Sequence, residues 1–282
     1  MSGDLTGRTI VLTGASAGIG AVAARELAAR GATVVPIGRS PEKTAAVAAE
    51  IGVEPLVADF ASLAQVRELA DRLLARCPAI DVLVHNAGGI VPDRRVTEDG
   101  FELTLQSNYL APFLLQSLLH ERLSASRART VVTSSMLHRV ARISLQDLDF
   151  SRRRYSSLQA YGQAKLAEVL FVEELARRTP DTGITAVAFH PGTVGSGFGR
   201  DSGGGIALLY RTRLGRTFLL GPERGAEPLV HLAADPGEVN GSYYHRMRPA
   251  ATSRQGRDAD LARRLWQTTE ELLGAEPHPG VR

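Results

Sequence analysis

Through the first 190 residues of this 282-residue chain, short runs of branched apolar residues alternate with longer alanine- and leucine-rich stretches. No other feature restricts the fold as far. The runs are TIVLTG (9–14), TVVPIG (33–38), EPLVAD (54–59), DVLVHN (81–86), RTVVTS (129–134) and ITAVAFH (184–190), with GSYYH (241–245) as a seventh. Helical patterning fills 18–30, 41–51, 62–76, 97–123 and 155–178. The short runs are apolar nearly throughout rather than at alternate positions, so both of their faces must be covered. The rhythm therefore predicts an α/β fold: a doubly wound, mostly parallel seven-stranded sheet with helices on both faces and ligands outside the carboxyl ends of the strands. There is no fixed-period repeat and no low-complexity linker. Residues 1–282 read as one domain, with a long excursion at about 195–225.

Composition narrows the partners. A hydrophobic fraction of 44% with 22% charged residues supplies a core of ordinary size. The formal charge of +3 is small, and clusters such as Arg152 to Arg154 read as solvated surface, so no nucleic-acid partner is expected. Cys77 is the one cysteine, which rules out an intrachain disulfide and suits a reducing, cytoplasmic setting. LAPFLLQSLL is too short to span a bilayer, IALLYRTRLGRTFLLG is interrupted by arginines, and the first residues carry no signal pattern.

The first strand runs into TGASAGIG (13–20) and then straight into a helix. Glycines here permit a tight turn, and the backbone of Gly14, Ser16, Gly18, Ile19 and Gly20 can approach a pyrophosphate at the helix N-terminus. The spacing G-x-x-x-G-x-G differs from the common G-x-G-x-x-G, and a plain glycine turn would also join strand to helix. Its place in the first βαβ unit favours the nucleotide. An acid at the end of the second strand would hold a ribose 2′-hydroxyl. The chain instead has Arg39 and Ser40, which suit a 2′-phosphate, so NADP(H) is preferred over NAD(H). Arg39 also fits a surface position, and Ser40 fits a helix N-cap before Pro41. Asp59 at the third strand end either meets an adenine edge or caps the next helix beside Ser62, and Phe60 next to it is counted with the cofactor contacts.

The stretch YSSLQAYGQAKLAEVL (155–170) scans as helix. Tyr161 and Lys165, four residues apart, share one helical face and can address the same small volume. Packing accounts for the pair equally well, because tyrosines are often half-buried and lysines lay their stems along apolar surface.

Four elements taken together change that balance. TGASAGIG (13–20), HNAG (85–88), VVTSSM (131–136) and YGQAK (161–165) resemble the TGxxxGxG, NNAG, post-strand serine and YxxxK of the short-chain dehydrogenase/reductase family, in the same order and over nearly the whole chain. SSMLHRV, the long Ser135-to-Tyr161 connection, HPGTV and RLWQTTEELLG are similar to its retinol dehydrogenase and protochlorophyllide reductase-like branch. The resemblance implies a Rossmann-type fold and a hydride-transferring oxidoreductase. It gives Tyr161 the role of acid and base, and Lys165 that of favouring the phenolate and binding ribose hydroxyls. Ser135 would donate to the substrate oxygen, and Asn108 would hold a relay water linked to Lys165. Since a free tyrosine titrates near ~10, a neighbouring cation is what this chemistry needs.

By the same resemblance, Asn86, Ala87, Gly88, Pro191, Gly192, Val194 and Ser196 join Tyr161 and Lys165 around the cofactor, with Thr193 as a further candidate. Pro191-Gly192 also reads as an ordinary turn, and Asn108 also as a side chain bonded to its own helix backbone. Ser134 is the lesser candidate, since adjacent side chains on a strand end point to opposite faces. His85 replaces the first asparagine of NNAG and is read as structural. Tyr155 is set aside, because position 159 is Gln and not Lys.

The excursion carries three glycines at 203–205, then Leu208, Leu209, Tyr210, Phe218, Leu219 and Leu220. It reads as a lid over a hydrophobic carbonyl or alcohol substrate, with core packing and membrane contact as the other readings. A non-catalytic NADPH-binding regulator has no need of Ser135, Tyr161 and Lys165 together. An epimerase or dehydratase of the extended branch has a larger region after the sixth strand. A homodimer or homotetramer through the 97–123 and 155–178 helices is the family's habit, although the insertion before Tyr161 stands in the way.

Overall fold

Ile10, Val11 and Leu12 show how the sheet is built: Val11 belongs to the core on one face, and Ile10 and Leu12 to the core on the other. All three are fully buried. Successive strand residues point to opposite faces, so an unbroken apolar strand demands a helical layer on each side. The computed structural model describes residues 3–192, 220–234, 237 and 239–274. Seven parallel strands, β1 (Thr9–Thr13), β2 (Thr33–Gly38), β3 (Leu56–Val57), β4 (Val82–His85), β5 (Arg129–Thr133), β6 (Thr185–His190) and β7 (Ser242–His245), lie in the order β3-β2-β1-β4-β5-β6-β7. An eighth, β8 (Arg248–Pro249), pairs antiparallel with β7. Among the described residues the sheet therefore has eight strands rather than the expected seven. The addition is a two-residue strand whose residues are exposed, so no apolar run announces it.

One face is covered by α1 (Gly18–Ala29), α2 (Pro41–Glu50) and α7 (Pro222–Ala234), through Ala24, Leu27, Val47, Leu229 and Val230. The other carries α3 (Leu63–Arg76), α4, α5 (His120–Ala125), α6 (Ser157–Arg178) and α8 (Ala259–Leu273). The helix α4 runs through Leu103–Leu105, a π-helical turn at Gln106–Leu110, and Ala111–Leu118. It starts later than the predicted residue 97. Asp99-Gly100 makes a turn, with Gly100 at φ +86°, and the Glu102 carboxylate caps the amides of Thr104 and Leu105 at 2.8 Å each.

Two features place the site. The chain runs outward from β1 to β2 and β3, then returns to β4 on the other side of β1, which opens a crevice where the carboxyl ends of β1 and β4 meet. Behind it, α6 is buried along most of its length and α8 closes its outer side. Trp266 of α8 stacks on Phe171 of α6 at 5.7 Å between ring centroids and meets Phe113 of α4 edge-on at 4.7 Å. Each such pair adds about 0.5–1.5 kcal/mol beyond the area it buries.

Candidate active site

Where β1 ends, Gly14 turns the chain at φ +70°, a conformation that side chains resist. The α1 helix then starts at Gly18 behind Ala17, whose side chain makes no capping bond, so the first helical amides are not satisfied from within the chain at that cap. Gly20 lies so close to the strand end that a Cβ on it would sit 2.2 Å from the Gly14 carbonyl oxygen. Backbone crowded this tightly, with helix amides aimed outward, is the cradle a pyrophosphate requires.

Asn86 fastens the two sides of the crevice. Its amide donates to the Thr13 carbonyl at 3.1 Å and toward that of Gly14 at 3.4 Å, and its oxygen accepts from Thr133 Oγ1 at 3.2 Å. Thr13 Oγ1 donates to the Val84 carbonyl at 3.0 Å and accepts from the Asn86 and Ala87 amides at 2.9 and 3.1 Å. β1, β4 and β5 are thus tied together at the point where a ligand would rest.

A single cleft of about 770 Å³ runs from this loop to the ends of β5 and β6. Gly14, Ser16, Gly18, Ile19 and Gly20 line one end, with Arg39, Ser40, Asp59 and Phe60 beyond them. Asn86, Ala87 and Gly88 form the floor, and Ser135, Tyr161, Lys165, Pro191 and Gly192 the far end. Val194 and Ser196, with Thr193 and the greater part of the expected lid, lie outside the described residues. Arg39 is exposed at the rim, and Ser40 caps α2 by accepting from the Lys43 amide at 3.4 Å. Asp59 lines the cleft and accepts from the Ala61 amide at 3.0 Å, ahead of α3, whose first amide, that of Leu63, donates instead to the Asp99 carboxylate at 2.9 Å.

At the far end, Tyr161 and Lys165 are 6% and 3% exposed, and the Lys165 ammonium lies 5.3 Å from the centre of the Tyr161 ring. Lys165 Nζ donates to the Thr133 carbonyl at 2.9 Å and to Glu168 Oε1 at 2.7 Å. Both serines border the cleft but differ in their bonds. Ser134 is buried and its hydroxyl donates to the Lys165 carbonyl at 2.9 Å, whereas Ser135 opens into the cleft and caps the short 3-10 turn Met136–Arg139.

Asn108 stands outside the lining, within the π-helical turn. It grips Gly89 by both amide and carbonyl at 3.0 Å and bonds the Thr104 carbonyl of its own helix at 2.8 Å. A Cβ on Gly88 would fall 2.4 Å from Asn108 Oδ1 and 3.6 Å from Lys165 Nζ. Asn108 therefore sets the loop that passes beside the lysine.

His85 and Tyr155 are spent on structure. His85 is buried on Phe171 and beside Gln116, and burial holds its ring at a pKa of about 4. Tyr155 donates to the Val91 carbonyl at 2.9 Å, and burial pushes its phenol up to about 12. Three residues were missed in the sequence. His138 holds the Ser135 carbonyl through Nδ1 at 2.7 Å, His190 lines the cleft, and Glu168 pairs with Lys165. The signal for Glu168 was its place one turn after Lys165 on an otherwise apolar helix face.

The fold and the cleft define an α/β protein built to hold a dinucleotide against a buried Tyr–Lys pair. The family model for short chain dehydrogenases matches residues 8–203, and the chain belongs to that family of oxidoreductases. Among its relatives is a Streptomyces sp. (strain C5) protein provisionally named daunorubicin C-13 ketoreductase DnrU, 44% identical over 96% of this chain and 94% of that protein. Human retinol dehydrogenase 13 is 37% identical over 99% of this chain and 88% of its own length. The resemblance to the retinol dehydrogenase-like branch is thereby shown. An uncharacterized Mycobacterium paratuberculosis protein superposes with a TM-score of 0.80 at 35% identity, covering 97% and 96% of the two chains. A short chain dehydrogenase from Burkholderia cenocepacia J2315, solved in complex with NADP, has a TM-score of 0.67 at 27% identity, with 86% and 97% covered.

Proposed function

We propose that the protein is an NADP(H)-dependent carbonyl reductase that interconverts a hydrophobic ketone or aldehyde with its alcohol. The observation that carries this reading is the convergence of Ser135, Tyr161 and Lys165 at one end of the cleft whose other end is the glycine cradle. When bound, the nicotinamide supplies or accepts the hydride. The residues of the chain do the rest. Ser135 orients the substrate oxygen by donating to it, Tyr161 gives up or takes the proton at that oxygen, and the Lys165 ammonium stabilises the phenolate. Asn108 keeps the Gly88–Gly89 loop against the lysine, and burial of Tyr161 and Lys165 keeps bulk water from them.

Arg39 at the rim, where an acid would serve a 2′-hydroxyl, supports the preference for NADP(H), as does the NADP held by the Burkholderia relative. Ile90, Val91, Met136 and Leu137 line the cleft around Ser135, and this apolar mouth supports a hydrophobic substrate. The daunorubicin ketoreductase name of one relative points the same way, toward a polycyclic ketone. The test is a fluorescence titration with NADPH and NADH, followed by NADPH oxidation against a panel of polycyclic and long-chain ketones and aldehydes. Binding of neither cofactor, or binding with no turnover across the panel, overturns the proposal.

A further inference from the structure

We propose that Glu168 is a positioning residue for the reaction: it clamps the Lys165 ammonium and sets the net charge that acts on the Tyr161 hydroxyl. The inference rests on the carbonyl reductase reading above. Glu168 follows Lys165 by three residues on α6, and the two side chains are 5% and 4% exposed, with Oε1 2.7 Å from Nζ. An ammonium has three donors. One goes to the Thr133 carbonyl at the end of β5 and one to Glu168, so sheet and helix together fix Nζ and leave one donor for the cleft that Lys165 lines.

Stability does not explain the pair. Taking a carboxylate and an ammonium out of water costs about what their attraction returns, unless every remaining lone pair is satisfied. Here Glu168 Oε2 is buried and has no partner. Effect on the neighbouring phenol is a better account. The lysine charge lies 5.3 Å from the Tyr161 ring. With Glu168 ionised, Tyr161 faces a neutral pair; with Glu168 protonated, it faces an uncompensated cation that favours its phenolate. Burial pushes the Glu168 carboxyl up to about 7, against the opposing pull of Lys165, so both states are reached near neutrality.

Lys165 is the one charged group acting on Glu168 among the described residues. His85 from β4, His138 from the turn after β5 and His190 at the end of β6 each have their pKa lowered by burial and stay neutral near pH 7. Tyr243 of β7 has its phenol pushed up by burial, and α8 meets α6 through Trp266, whose indole nitrogen holds Glu270.

The test reads Tyr161 directly. Phenolate absorbance is titrated in the wild-type protein, with Tyr161→Phe subtracted as reference, and again in the Glu168→Gln background with its own Tyr161→Phe reference. Removing the carboxylate is expected to lower the Tyr161 midpoint by roughly half a pH unit or more. Glu168→Asp, which keeps the charge, restores most of the wild-type midpoint. The acid limb of the pH profile for alcohol oxidation shifts with the midpoint, whereas a merely structural role would reduce kcat at every pH and leave the limb in place. A midpoint that is unchanged or raised in Glu168→Gln overturns the proposal. Should Glu168→Gln fail to fold, Glu168→Asn, equally neutral, carries the same comparison. Because the titration needs no substrate, a lack of turnover would overturn the carbonyl reductase reading and leave this measurement decisive on its own.

Discussion

Replacing Gly20 by alanine is the sharpest probe of the cradle. The added Cβ would lie 2.2 Å from the Gly14 oxygen, 2.7 Å from Asn86 Nδ2 and 2.9 Å from the Gly14 carbonyl carbon. An ordinary C···O approach is about 3.3 Å, so strand end and helix must part by roughly 1 Å. Neither side yields easily. Gly14 is held at φ +70°, and Asn86 is hydrogen-bonded to the Thr13 carbonyl. Overpacking of this kind costs about 1–3 kcal/mol in stability. The same displacement removes at least one amide from hydrogen-bonding range of a phosphate. Bonds to charged groups are worth about 1.5–3 kcal/mol, which amounts to a Kd for NADPH weakened roughly 10- to 100-fold. Fluorescence titration with NADPH and a thermal melt read the two effects together, with a fall in Tm of about 2–4 °C for each kcal/mol lost. A variant that binds NADPH within about twofold of wild type and melts at the wild-type temperature would refute the crowding argument.

Tyr161→Phe should lose turnover by about 10²-fold or more while NADPH affinity stays near wild type, a split visible by combining steady-state rates with cofactor titration. Arg39→Ala should weaken NADPH by roughly 10-fold and leave NADH unchanged, since an exposed guanidinium contributes the smaller part of a charge-assisted bond; equal losses for both cofactors would count against its selecting role. Trp266→Ala removes the aromatic contacts between α4, α6 and α8 and should cost about 3–5 kcal/mol in chemical denaturation. His85 is held at about 4 in the fold against 6.5 ordinarily, so the unfolded chain binds the extra proton between those values and stability falls as pH drops through that window. Glu168, held at about 7, slopes the opposite way over part of the same range. Comparing denaturation of wild type with His85→Asn isolates the histidine: the variant's loss on acidification should be shallower by about 3 kcal/mol at the acid end.

The strands and the cradle were legible because each is announced locally. Buried parallel strands write themselves as runs such as TIVLT and TAVAFH, and a loop that must lie against a phosphate can hardly avoid glycine. What stayed hidden depends on contacts between distant residues. The π-helical turn at Gln106–Leu110 has the composition of ordinary helix, and Asn108 shows its purpose only once Gly89 lies against it. Glu168 shares an apolar helix face with Lys165 in the sequence, but only the covering of α6 shows that the acid is buried against the lysine. The choice of Ser135 over Ser134 came from the family resemblance together with strand alternation. The structure adds the reason Ser134 is occupied, its bond to the Lys165 carbonyl. β8 and the late start of α4 were missed because an exposed two-residue strand and an Asp-Gly turn carry little hydrophobic signal.

The wall that α8 builds behind α6 has a consequence for how the molecule comes into being. During synthesis, the cradle, the serine and the Tyr–Lys pair all leave the ribosome before Trp266 does, so α6 is complete in sequence while Phe113 and Phe171 still lack their cover. A nascent chain in that interval presents a sticky aromatic surface of the kind chaperones recognise. Chains cut short before α8 would keep Ser135, Tyr161 and Lys165 but leave Phe113 and Phe171 without Trp266. Residues 259–273 are thus the last of the described elements to be made and the ones that complete this aromatic cluster.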